Sequence, residues 1–85
     1  MGTREELVQL AFKKSIEHNI QLDTAEWIIE DTAEIYSSFR DDARNIRNVK
    51  LANLAGSNMQ RYRLDFNVVT DIMAAAIDII KEGLR

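Results

Sequence analysis

The sequence predicts an all-α fold, and three observations predict it. There is no proline, and only three glycines punctuate 85 residues, so turn signals are few. Hydrophobic residues make up 46% and charged ones 29%, with alanine and aliphatic side chains prominent. That is the composition of a helical chain. Three capping-box patterns also divide the chain: Thr3 with Glu6, Asp23 with Glu26, and Ser57 with Gln60. In each, the first side chain can accept from an orphan backbone N–H and the second can reach back to the cap.

Each box opens an amphipathic run. The first helix is expected over about residues 4–19, with Leu7, Val8, Ala11, Phe12 and Ile16 on one face. Gln9, Lys13, Lys14 and Glu17 are expected to face away. The second is expected to run unbroken over about 24–55. Ala25, Ile28, Ile29, Thr32, Ile35, Tyr36, Phe39, Ala43 and Ile46 hold the three-four spacing, and no glycine intervenes before Gly56. At ~1.5 Å per residue it would be about 50 Å long. Its weak point is Phe39–Asp42, where an aspartate could cap a fresh helix. Leu22 and Trp27 are placed for a hydrophobic staple. Gly56 then reads as a left-handed residue ending that helix. The last helix is expected over about 58–82, with Met59, Tyr62, Phe66, Val69, Met73, Ala76, Ile77 and Ile80 on its stripe and Val68, Ile72 and Ile79 widening it.

The expected architecture is thus a long antiparallel hairpin, with the N-terminal helix packed on one end, in a single domain spanning residues 1–85. Two helices alone would cover the far end poorly. A dimeric or higher helical bundle is expected to cover it.

Charge is unevenly spread. Residues 40–63 hold six basic and two acidic residues, a formal +4, whereas the other 61 residues carry twelve acids and five bases. Arg40, Arg44, Arg47, Lys50, Arg61, Tyr62 and Arg63 from this stretch, together with Trp27, form the candidate interaction surface. The plainer reading is a solvated hairpin end. The functional one is a basic surface that docks on acidic protein or on phosphate.

Chemical motifs are scarce. With no cysteine and one histidine, disulfides and cysteine- or histidine-rich metal sites are excluded. His18 has no evident catalytic partner. The serines sit in no nucleophile-elbow context, and the isolated glycines form no phosphate loop. Glu26, Glu30 and Glu34 form an i, i+4, i+8 line with Asp31 beside it. The run EDTAE, residues 30–34, resembles the acidic helix of all-α nucleotide pyrophosphohydrolases of the MazG type. That resemblance implies clustered carboxylates on adjacent helices holding Mg²⁺ at a triphosphate. It covers five residues, and the last helix offers Asp71 and Asp78 but no close-spaced acidic pair.

The leading expectation is a non-catalytic regulator or adaptor that binds another protein and self-associates, with no cofactor. Nucleic-acid or nucleotide binding by residues 40–63 is the alternative, and a Mg²⁺-dependent nucleotide pyrophosphohydrolase the remote one. MGTREEL lacks the apolar core of a signal peptide, and the run IMAAAIDII is too short to cross a bilayer. No membrane insertion is expected, and a cytoplasmic location fits the absence of cysteine.

Overall fold

A computed structural model of the chain describes residues 2–39 and 44–83. Those residues form four helices and no strand: α1 (Gly2–His18), α2 (Leu22–Ser38), α3 (Arg44–Tyr62) and α4 (Phe66–Gly83). The all-α expectation holds, but the long hairpin does not. The expected 24–55 helix is two helices, and the expected 58–82 helix begins at Phe66. α2 stops where Phe39 leaves helical geometry while its N–H still reaches the Ile35 carbonyl at 3.1 Å. α3 then folds back. The Trp27 ring stacks on Tyr62, with centroids 6.1 Å apart, and the Arg47 guanidinium lies 4.3 Å over the Tyr36 ring. These contacts make α2 and α3 antiparallel. Of the second helix's expected stripe, Ala43 lies outside the described residues.

α1 and α4 are antiparallel too. At one end, Thr3 on α1 fills the space that a Cβ on Gly83 would need, and at the other Lys14 and His18 meet Asp71. The bundle is therefore up-down-up-down. α2 and α4 touch each other and both flanking helices, whereas α1 and α3 do not touch. The cross-section is a square collapsed along one diagonal, in a flattened body of 34 × 30 × 16 Å. A single chain thus makes a four-helix arrangement that the sequence reading expected only from two copies.

The core lies along that diagonal. Ala25, Ile28, Ile29 and Thr32 of α2 meet Val69, Ile72, Met73 and Ala76 of α4, all buried, with Leu10 and Ala11 added from α1 and Ala55 from α3. The buried Thr32 hydroxyl donates to the Ile28 carbonyl at 2.7 Å, so it carries no unpaired polar atom into the core. No helix among the described residues is long and apolar enough to cross a membrane.

The helix ends differ from the expected boxes in an instructive way. α1 closes with Asn19 at φ 55, and the Ile20 N–H returns to the Ser15 carbonyl at 2.9 Å. α3 closes the same way: Arg63 has φ 55, and the Leu64 N–H returns to the Met59 carbonyl at 3.1 Å. Both are Schellman endings, in which a left-handed residue lets the next N–H satisfy an orphan carbonyl. Leu64 and Met59 also pack against the core, supplying the apolar contact that accompanies such an ending. Asn tolerates this conformation, whereas for arginine it costs roughly 1 kcal/mol. Arg63→Gly relieves that strain but gives the unfolded chain more freedom, so the net gain should be about 0.5 kcal/mol, a rise in melting temperature of about 2–4 °C. No gain in a thermal melt would mean that α3 does not end in a left-handed residue here.

Gly56, expected to be left-handed, is not: no glycine has positive φ, and α3 runs straight through it and Ser57. The Asp23 and Thr3 boxes are displaced inward as well. α2 starts from Gln21, whose carbonyl accepts from Ala25 N–H at 3.2 Å without a side-chain cap. Asp65 precedes α4, and its carbonyl takes the N–H of both Val68 and Val69 at 3.1 Å. A Cβ on Gly56 would meet nothing within 4 Å. Gly56→Ala should thus stabilise the protein by about 1 kcal/mol, the usual helix-interior gain. Denaturant midpoints give the sign directly, because a left-handed glycine would instead be destabilised by the same change.

Candidate functional site

α1 is the helix whose face the sequence misassigns. Leu10, Ala11 and Lys14 are buried, and Val8, Phe12 and Ile16 stand 46%, 50% and 80% exposed. The three exposed side chains are spaced i, i+4, i+8, so they form one apolar line on the helix. Val8, at one end of that line, also borders a groove of about 850 Å³ between α1 and α2. Leu7, Val8, Ala11, Ile29 and Ala33 supply its apolar lining, Glu26, Glu30 and Glu34 of α2 its acidic side, and Arg4 of α1 one basic group. α2 carries five acids and no base. None of the three glutamates makes an ion pair among the described residues.

The basic stretch is not a hairpin tip. Most of it is α3, a helix with four basic residues and no acidic one, lying along the opposite edge of α2 from α1. Arg40 lies outside the described residues, and Arg44 is known only as the first residue of α3. Arg47 is half-buried against Tyr36, with its Nε unpartnered. Lys50 is exposed, its ammonium 5.5 Å from the Phe39 ring centre. Arg61 and Arg63 are exposed at the far end of the helix. Lys50 and Arg61 are eleven positions apart, three helical turns, and so share one side of α3. Trp27 is not a staple for Leu22 but the half-exposed ring partner of Tyr62. Of the residues singled out in the sequence, the structure thus brings Trp27 and Tyr62 together. It commits Tyr62 and Arg47 to contacts with α2.

A polar cluster that sequence reasoning missed joins α1 to α4. Buried Lys14 donates to Asp71 Oδ2 at 2.7 Å and to Glu17 Oε1 at 3.2 Å. His18 Nε2 reaches the same Asp71 oxygen at 2.7 Å and lies 3.7 Å from Glu17 Oε2. An ionised carboxylate only accepts, so His18 Nε2 is the donor to Asp71. The Lys14 hydrogen bond, then that from His18, holds the Asp71 carboxyl below its ordinary range, against the opposing effect of desolvation. The hydrogen bond to Asp71 raises the Lys14 ammonium, with desolvation pulling the other way and Glu17 adding a smaller push.

The ligand-capable atoms of Glu17, His18 and Asp71 lie within 4.8 Å of one another. A cation there would have to compete with the Lys14 ammonium, which already holds both carboxylates. The arrangement can brace two helices; it has no free base and no adjacent nucleophile among the described contacts. The one available signal was the pairing of Lys14 with His18 at i, i+4, opposite an aspartate beside the apolar stripe of α4. Among the described residues, the carboxylates of α2 do not converge with acids of another helix into a group able to hold a cation. Compared with known proteins, the chain matches no family, no curated protein and no solved structure.

Proposed function

We propose that the chain is a non-catalytic adaptor or regulator that works by binding protein across the α1/α2 face. One observation carries the reading. Val8, Phe12 and Ile16 form an exposed apolar line on α1, and Val8 at its end also lines an open groove with an apolar lining. Single exposed apolar residues are ordinary, but a contiguous set beside a groove marks an interaction surface. The unpaired glutamates give that surface a sign, and so a means of choosing partners. The ionisable cluster that does form, around Asp71, is satisfied internally and leaves no group poised for chemistry.

The test is a photo-crosslinking residue placed at position 12 in the host cell, with exposed position 78 on α4 as control. Position 12 should yield a protein adduct, a second copy included, and position 78 should not. Equal or absent adducts at both positions would refute the reading.

A further inference from the structure

We propose that a second copy of this chain covers the α1/α2 groove, and that it does so with its own α3, in a two-fold dimer. This rests on the protein-binding reading above and names the occupant. α2 lies between α1 and α3, which do not touch each other. The molecule therefore has one broad face on which α1, α2 and α3 lie side by side. Helix phase shows what each presents there. On α2, the buried Ala25, Ile28, Thr32 and Tyr36 leave Glu30 and Glu34 pointing outward, and Glu26 toward α1. On α3, Arg47 reaches Tyr36 and Lys50 reaches Phe39, so the basic side of the helix lies toward α2 and opens on the same face. Arg61 follows Lys50 on that side.

One half of the face is therefore net acidic, three glutamates against Arg4, and the other half basic. The acidic half has Val8 and Phe12 beside it, and the basic half has exposed Ile46 and Val49. A face divided in this way repels a copy placed in register and attracts one turned by half a revolution. The turned copy sets its α3 over the groove, and by symmetry receives the first copy's α3 over its own. That is an isologous contact, the commonest form of homo-oligomer. Within one chain these charges remain unmatched: among the described residues Glu26, Glu30, Glu34, Lys50 and Arg61 enter no ion pair. The α3/α4 groove, lined by Leu51, Ala55, Met59, Phe66, Met73 and Ile77, has no charged side to identify an occupant.

The test is sedimentation equilibrium on the full chain, with two charge-reversed variants that leave the core untouched. One replaces Glu26, Glu30 and Glu34 by lysine; the other replaces Lys50 and Arg61 by glutamate. The wild type should be a dimer whose affinity falls at least tenfold between about 50 mM and 500 mM salt. Each variant alone should be a monomer with native helicity by circular dichroism. An equimolar mixture of the two should form a heterodimer, because one of its contacts is reversed on both sides and the other is wild-type on both sides.

A wild type that stays monomeric at about 500 µM and low salt overturns the proposal. So do variants that dimerise unchanged, and a mixture no tighter than its parts. A fluorescent single-stranded oligonucleotide is titrated in parallel. Binding that is lost in the Lys50, Arg61 variant, with no wild-type dimer, assigns α3 to phosphate and also overturns the proposal. If the wild type is monomeric but position 12 crosslinks a different protein, the dimer is refuted and the protein-binding reading stands.

Discussion

Replacing Ala76 by glutamate should unfold the protein. Ala76 is fully buried on α4, which packs against all three other helices. Lys14 is the one buried basic group among the described residues, and it is already held by Asp71 and Glu17. An unpaired carboxylate in such a place costs several kcal/mol, and the larger side chain adds overpacking. A domain of this size has a total stability of only about 5–10 kcal/mol. The expected result is loss of the cooperative melt, or a midpoint lowered by tens of degrees. Ala74→Glu is the matched control. It makes the same change two positions away at an exposed site, where the effect should stay within about 0.5 kcal/mol. If the two variants melted alike, the buried side of α4 would be wrongly placed.

The success of that phase assignment on α4, and its failure on α1, have the same physical origin. Periodicity reveals a face only where apolar residues are confined to one side. On α2 and α4 they nearly are: Ala25, Ile28, Ile29, Thr32 and Tyr36, and Val69, Ile72, Met73, Ala76 and Ile80, are buried as expected, while Phe66, expected on the same stripe at the start of α4, is exposed. On α1 the apolar residues spread over Leu7, Val8, Leu10, Ala11, Phe12 and Ile16. The choice between faces was settled by Lys14, which can be buried only because Asp71 meets it, 57 positions away. A local pattern contains no trace of such a partner.

Helix ends were lost for a different reason. Apolar phase survives a chain reversal, so one long helix and two packed ones read alike through Phe39. Folding back adds α3 to the cover of α2 and α4, a gain that no local signal records. Gly56 costs a helix only about 1 kcal/mol, so tertiary packing overrides it. Arg63 carries no sequence sign of a left-handed residue at all. For the candidate surface, the sequence revealed the charge of residues 40–63 and of α2, whereas only the fold shows that they lie side by side on one face. The exposed line of Val8, Phe12 and Ile16 was hidden because the same residues made an equally good core stripe.

The brace between α1 and α4 should make stability depend on pH at both extremes, through two groups with opposite signs. Asp71 has a folded-state pKa below its ordinary 3.8. Its contribution is complete above that value and is lost as pH falls through the lower, folded one. Lys14 has a folded-state pKa above its ordinary 10.5. Its contribution is complete below that value and is lost as pH rises through the higher, folded one. Between these limits the pair should contribute a constant amount. Asp71→Asn removes the acceptor shared by Lys14 and His18, and leaves the buried ammonium with Glu17 alone. Loss of a fully buried pair costs about 3–5 kcal/mol, but the Asp71 side chain is 42% exposed and solvent screens it, so about 1–2 kcal/mol is expected here. Urea midpoints measured across the pH range check this directly. Near neutrality the variant should lie below the wild type by that amount. The gap should close as pH falls below about 4, since a protonated Asp71 no longer offers Lys14 a charge. A gap that stayed constant down to the lowest pH at which the protein folds would show that Asp71 contributes shape and not charge. The brace would then be ordinary packing between α1 and α4.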